Sequence, residues 1–244
     1  MGQTLRAFDN GFQLLGDLAR YGGAPLEFQL RDGSGTIACP NFPGARVPVY
    51  EVFAEDAYRI GALTDGLPED LVAVDIGAHI GCFSVALALA RPRARVHAWE
   101  ASPSTARWLC RNLELNAIGD RVVPHATAVS DHHGTLSFVD NDQGSALNGG
   151  PGATTVEVPC VTVAETFAAA GGRVDLVKID TEGAEYAMLT DPADWAAVQR
   201  VVLEYHDVPG HDFAEIAAFF TAAGLCLRER EEATARQGTA WLER

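Results

Sequence analysis

The sequence predicts an α/β fold of Rossmann-like type, with a mostly parallel sheet, helices on both faces and a small N-terminal cap. Three observations predict it. From Leu71 onward strand-type and helix-type segments alternate, the pattern that winds a parallel sheet. Between Ala73 and Gly81 the chain runs AVDIGAHIG, an apolar strand that breaks into a glycine turn with a helical pattern directly behind it. A second strand-like run, ARVHAWE, ends in Glu100, 23 positions beyond Gly77.

Leu5, Phe8, Phe12, Leu15 and Leu18 recur at spacings of three and four, which predicts one amphipathic helix at the start of the chain. LEFQL and TIACP flank the turn formers Asp32, Gly33, Ser34 and Gly35, a short hairpin. A second helical piece is expected from Tyr50 to Leu63. Strands are expected near 71–76, 95–100, 121–126, 174–179 and 198–205, joined by right-handed helical crossovers. Ser102 and Pro103 supply an N-cap and a first-turn proline for a helix through Arg111 and Leu115. LSFVD and VEVPCVTV interrupt the rhythm as an inserted hairpin around the glycine-rich segment Asn141 to Thr155. LCLRER and TAWLER form a closing antiparallel pair, which brings the sheet to about seven strands.

The glycine turn is suited to a nucleoside. Gly77 and Gly81 let the backbone approach a ligand closely, and the helix from Gly81 to Ala90 turns its free N–H groups toward whatever lies over the bend. The spacing D-x-G-x-x-x-G is not the G-x-G-x-x-G of a dinucleotide loop, and no P-loop lysine is present. Glu100 stands where a nucleotide-binding unit places the acceptor for a ribose diol; a solvated strand-end glutamate is the plainer alternative.

VAVDIGAHIGCFSVALA, HAWEASPSTARWLCRNLELN, HATAVSD and DLVKIDTEGAEYAML resemble the successive blocks of the FkbM family of methyltransferases, over about Leu71 to Tyr205. VKIDTEGAE is the most specific block. His79 stands where that family commonly has Asn. The resemblance implies a class I methyltransferase fold, S-adenosylmethionine as cofactor, and O-methylation of a small molecule such as a secondary metabolite or a sugar. Residues 1–66 are then a cap contributing to the acceptor pocket, and 67–244 the cofactor-binding domain.

A chain of 244 residues, 48% of them hydrophobic, can bury one sizeable core. A net charge of −15 argues against nucleic acid as partner, since that affinity comes from Lys and Arg neutralising phosphates, and against a polybasic membrane anchor. Five cysteines, at 39, 82, 110, 160 and 226, show no metal-like spacing and fit reduced, buried thiols of a cytoplasmic protein. No apolar stretch is long enough to span a membrane, and MGQTLRAFDN lacks a secretory core. A homodimer is allowed, and no metal is expected. The adjacent His132 and His133 on a turn are read as solvated rather than metal-binding.

Ligands of open α/β sheets settle beyond the carboxyl ends of the strands, where Asp75, Glu100, Asp180 with Glu182, and Glu204 with His206 fall. The cofactor contacts are placed at Asp75, Gly77, Ala78, His79 and Gly81 in the turn, at Glu100, Ala101 and Ser102, at Ala128 and Val129 for the adenine edge, and at Asp180 and Glu182. Asp75 either organises the methionine end or braces the turn by accepting backbone N–H groups. Lys178, inside an apolar strand and on the same face as Asp180, requires a carboxylate partner. Glu182 and Glu185 are expected in a first helical turn, Glu185 mainly to complement the helix dipole. His206 is the candidate general base for an alcohol acceptor and Asp180 the second; a satisfied structural histidine is the alternative. The cap around Val47 to Tyr58 and the glycine-rich loop as a lid are expected to build the acceptor pocket. N-methylation of an amine, a Rossmann-type oxidoreductase and a non-catalytic cofactor-binding module are the competing functions.

Overall fold

A computed structural model describes residues 2–18, 23–140 and 154–244. Two short helices, α1 (Gly2–Ala7) and α2 (Gly11–Leu18), precede an antiparallel hairpin of β1 (Leu26–Gln29) and β2 (Thr36–Cys39), then α3 (Pro43–Phe53) and α4 (Ile60–Thr64). The alternating region follows as β3 (Val72–Ile76), α5 (Cys82–Ala90), β4 (Arg95–Trp99), α6 (Pro103–Leu115) and β5 (Val122–His125). Next come β6 (Ala128–Ser130), β7 (Gly134–Asp140), β8 (Thr154–Thr162), α7 (Val163–Ala169), β9 (Leu176–Ile179) and α8 (Glu185–Met188). The chain closes with β10 (Arg200–His206), α9 (Phe213–Ala222), β11 (Cys226–Thr234) and β12 (Gln237–Glu243).

Seven strands form the main sheet in the order β11-β12-β10-β9-β3-β4-β5. The five from β10 to β5 run parallel, while β12 is antiparallel to both β10 and β11. Strand order reverses at β3: the chain continues to β4 on one side and later returns to β9 on the other, which opens a crevice beyond their carboxyl ends. The inserted hairpin of β7 and β8, with β6 beside β8, makes a separate three-stranded sheet. The predicted lid, Asn141 to Thr155, falls largely on residues 141–153, outside the described residues.

Parallel strands are covered on both faces, and the burial shows it: all four residues of β9 are buried. Ala73, Val96 and Leu176 face one apolar cluster, which the cap joins through Phe8, Phe28 and Val49 beside Val85 and Leu113. Val74, Val177 and Val201 face the other, with Phe167, Trp195, Ile216 and Phe220. The helix ends follow local chemistry. Ser102 Oγ accepts the Thr105 N–H at the start of α6, and Thr162 with Glu165 makes a reciprocal capping box on α7.

Two expectations in the cap are corrected. The predicted N-terminal helix is two helices, because Phe8 pairs by its backbone with Leu30 and the Asn10 side chain bonds both the Glu27 carbonyl and the Gln29 N–H. Phe8 and Leu14 are buried, whereas Phe12 is 83% exposed. The piece expected from Tyr50 to Leu63 starts earlier, at Pro43 in the first helical position, and breaks at Asp56 and Arg59, both in the left-handed region. Arg59 is held there by ion pairs to Glu229 and Glu231 of β11.

Candidate active site

The bend after β3 is a left-handed turn, with φ of +76° at Gly77, 51° at His79 and +89° at Gly81. Gly77 and Ala78 donate their N–H groups to the Trp99 carbonyl at the end of β4. A Cβ at Gly77 would overlap the Asp180 carbonyl oxygen, and one at Gly81 would lie 2.5 Å from Leu109 Cδ1. Glycine at 77 therefore lets the loops after β3 and β9 meet where the crevice opens.

Lys178 holds that meeting point. Its Nζ donates to the Gly77 carbonyl at 2.6 Å and lies 3.3 Å from Asp75 Oδ1 and 3.6 Å from Asp180 Oδ2. Burial opposes the charge, but Asp75, Asp180 and Glu204 outweigh it and hold the ammonium above its ordinary pKa. Asp75 is wholly buried, and its Oδ2 accepts from Ser84 Oγ at 2.7 Å. Asp75 thus braces the turn, one of its two expected roles, but through Lys178 and Ser84 rather than by accepting backbone N–H groups.

Glu100 is buried at the tip of β4, with Oε2 accepting the His79 N–H and Oε1 the Ser102 N–H, each at 2.8 Å. Burial pushes its pKa up to about 7 against the pull of those two donors. Each carboxylate oxygen keeps a second lone pair, as a ribose diol requires. Ala101 lies between Glu100 and the Ser102 cap. Burial lowers the His79 imidazole to about 4, which leaves it neutral, and its Nδ1 is buried without a hydrogen-bond partner. Ala128 and Val129 are buried in β6, which pairs with β8 along one side and forms the edge of its sheet, so backbone groups on the other side stay outside the ladder.

On the far side of the turn the strand ends carry a group of acids. Tyr58, 5% exposed, reaches in from the cap and donates its hydroxyl to Glu204 Oε1 at 2.6 Å, lying 3.4 Å from Asp180 Oδ2. Burial and the neighbouring Asp180 raise Glu204 to about 7, while the Tyr58 bond pulls it down. Burial and Asp180 likewise raise Glu51 of α3 and Glu182.

Glu182 departs from expectation, whereas Glu185 opens α8 and so lies in a first helical turn as expected. Glu182 has φ of 55° and precedes α8, which spans only Glu185–Met188. Glu185 is fully buried; its Oε1 accepts from Gly183 N at 3.2 Å and lies 3.0 Å from His206 Nδ1. From the first turn of α8 it also pairs with His206, a partner the sequence reading did not give it. Glu182 lies 3.5 Å from His206 Nε2. Burial opposes protonation of His206, but Glu185 and then Glu182 overcome it and raise the pKa to about 9. At neutral pH His206 is an imidazolium, the wrong form to accept a proton, which corrects its expected role as general base.

Tyr58 and Glu51 fall in the cap segment expected to build the acceptor pocket but had no individual role, Glu185 was read only for the helix dipole, and Glu204 had a place but no role. Two-residue alternation along β10 puts Glu204 on the face of His206, a signal the sequence does carry. Tyr58 has none, because its position depends on the reversal at Asp56 to Arg59. His132 and His133 are exposed and pair with Asp131 and Glu165, and among the described residues no group of three or more His, Cys, Asp or Glu could hold a metal ion. Cys39, Cys82 and Cys160 are buried as expected, but Cys110 and Cys226 are exposed.

A left-handed glycine bend, a buried strand-tip glutamate and an adjoining acidic crevice call for comparison with known proteins. The model of the methyltransferase FkbM domain matches residues 75–225. The chain belongs to the FkbM methyltransferase family. The 31-O-demethyl-FK506 methyltransferase FkbM of Streptomyces tacrolimicus is 28% identical over 229 residues, covering 79% of this chain and 86% of that protein. Methyltransferase sdnD of Sordaria araneosa is 28% identical over 196 residues, covering 66% and 74%. In fold, a solved SAM-dependent methyltransferase from Agrobacterium tumefaciens superposes with a TM-score of 0.54 at 11% identity, covering 91% of this chain and 70% of that one. The fold is that of the class I methyltransferases, and this FkbM-family chain is a methyltransferase with S-adenosylmethionine as cofactor. The residues fit that group: only glycine can occupy the bend at 77, Glu100 retains acceptor capacity, and the acids of the crevice suit a sulfonium and an ammonium. No helix among the described residues is long and apolar enough to cross a membrane.

Proposed function

We propose that the chain methylates a hydroxyl group of a small molecule, a secondary metabolite or a sugar. The observation that carries this reading is the Tyr58–Glu204–Asp180 group beyond β9 and β10, next to the glycine turn. An alcohol sheds its proton as it attacks, and a carboxylate titrating near 7 is suited to take it at neutral pH.

When bound, S-adenosylmethionine supplies an electrophilic methyl group. Gly77, Ala78 and Gly81 seat it, Glu100 accepts from the ribose hydroxyls with Ala101 and Ser102 beside it, and the outer backbone edge of Ala128 and Val129 takes the adenine. Asp180 and Glu182 face the crevice from the other side. Tyr58 fixes Glu204 Oε1, so Oε2 is the proton-accepting atom, and Asp180 orients the hydroxyl. His206, as an imidazolium clamped by Glu185 and Glu182, fixes those two carboxylates. The name of the Streptomyces tacrolimicus relative, a 31-O-demethyl-FK506 methyltransferase, specifies an oxygen and supports the same acceptor atom.

The test is incubation with methyl-labelled S-adenosylmethionine and a panel of hydroxyl- and amine-bearing acceptors that includes 31-O-demethyl-FK506, followed by NMR of the product. A label on oxygen is expected. A label on nitrogen would replace this reading with N-methylation.

A further inference from the structure

Tyr58 and Arg59 are consecutive residues of the cap that reach two different strands of the main sheet. Tyr58 donates to Glu204 of β10, while Arg59 pairs with Glu229 at 2.6 Å and with Glu231, both of β11. The strand register puts their targets in one row: Glu204 lies opposite Thr239 of β12, and Thr239 lies opposite Glu231. Residues directly opposite one another share a face of the sheet, so Glu204 and Glu231 meet the cap together, two strand spacings or roughly 10 Å apart. We propose that Arg59 is a positioning residue, a latch between the cap and the β11–β12 hairpin that holds the Tyr58 hydroxyl on Glu204. Its bearing on catalysis rests on Glu204 being the proton acceptor.

The contacts close on one another. The Arg59 guanidinium lies 4.6 Å over the Trp241 ring of β12, and Trp241 stands opposite Glu229. Trp241 Nε1 donates to the Tyr58 carbonyl at 3.4 Å, so the ring beneath Arg59 also grips the backbone of the residue before it. The Arg59 N–H donates to the Asp56 carbonyl at 2.8 Å, and the Ile60 N–H to the Asp56 carboxylate at 3.2 Å. Asp56 and Arg59, on either side of Tyr58, are both left-handed, a state that non-glycine residues keep only where surrounding contacts hold it. A single exposed ion pair contributes little, but one guanidinium shared by two carboxylates and an aromatic ring is a network.

Loss of the latch frees the reversal at Asp56 to Arg59 and lets Tyr58 leave Glu204. Glu204 faces Tyr58 and Glu51 from the cap, and Asp180 and Lys178 from β9 and the loop behind it. Burial and Asp180 push its pKa up, and the Tyr58 bond, then Lys178, pull it down. An Arg59 variant leaves all of these side chains in the chain, so a change in the titration of Glu204 reports on the Tyr58 contact.

NMR of the chain isotope-labelled at tyrosine Cζ reads that contact with neither acceptor nor cofactor present, so its outcome is separate from the position of a transferred methyl label. The Tyr58 signal, assigned with Tyr58→Phe, is expected to inflect near pH 7 as Glu204 titrates and to lose the inflection in Glu204→Gln. Arg59→Met is expected to move the inflection up by about half a pH unit and to shrink it, with S-adenosylhomocysteine affinity within about twofold of wild type. The double variant Glu229→Gln, Glu231→Gln, which opens the latch from the hairpin side, is expected to do the same, and stands in if Arg59→Met does not fold. Charge alone would move the two variants in opposite directions, since one removes a cation and the other two anions; the latch moves both upward. No inflection in the wild type, an inflection unmoved in the variants, or opposite shifts in the two, overturns the assignment.

Discussion

Lys178, the single lysine of the chain, donates from Nζ to the Gly77 carbonyl oxygen at 2.6 Å, so the tip of β9 grips the bend that follows β3. Asp75 lies behind it at 3.3 Å with no exposure to water. The cofactor turn thus rests on a buried ion pair rather than on glycine flexibility alone.

Lys178→Met removes the cation and strands the Asp75 carboxylate in the core. The cost is expected at about 3–5 kcal/mol of folding stability, the range for breaking a buried pair from one side. Urea denaturation measures it. A loss under about 1 kcal/mol would mean that the pair contributes little.

Glu100→Ala is expected to weaken S-adenosylhomocysteine by about 1.5–3 kcal/mol, the value of hydrogen bonds to a charged group. With a Glu100 pKa of about 7, wild-type affinity should also fall as pH drops through that value, because the protonated carboxyl loses acceptor capacity. Titration calorimetry between pH 6 and 8, in roughly half-unit steps, reads both effects. Unchanged affinity in the variant contradicts the ribose assignment.

His206 binds its proton more tightly in the folded chain, at about 9 against an ordinary 6.5. Its pairing with Glu185 therefore stabilises the fold fully below pH 6.5 and is lost as pH rises through about 9. The difference corresponds to about 3 kcal/mol at most. His206→Gln should flatten the fall in unfolding free energy across that window. An unaltered slope would place the titrating group elsewhere.

Much of this was legible in the sequence. Apolar strands bounded by glycine, and the Ser-Pro start of α6, carry their own signals, so β3, β4, β9 and β10 and the order Gly77, Glu100, Asp180 could be read directly. Lys178 could be read too, since a lysine in an apolar strand requires a carboxylate. Charge states could not. His206 lies near Glu185 and Glu182 only because α8 is one turn long and Glu182 is left-handed. The cap was misread where long-range contacts override local pattern, at Phe8 against Leu30 and at Arg59 against β11.

Tyr58→Phe removes the donor on Glu204 Oε1 and should raise the Glu204 pKa. With an acceptor in hand, the acid limb of the pH–rate profile is expected to move to higher pH, with cofactor affinity unchanged. Glu204→Gln should lower kcat by about 10²–10⁴, the usual contribution of a positioned base. Rates equal to wild type in both variants would remove Glu204 from the proton path.

Gly77→Ala addresses the central claim most directly, because a Cβ there meets the Asp180 carbonyl and must push the two strand-end loops apart. Calorimetry with S-adenosylhomocysteine is expected to give a clear binding heat for the wild-type chain and none for the folded variant. No heat from the wild type, or undiminished heat from Gly77→Ala, would contradict a cofactor seat built at the junction of β3 and β9.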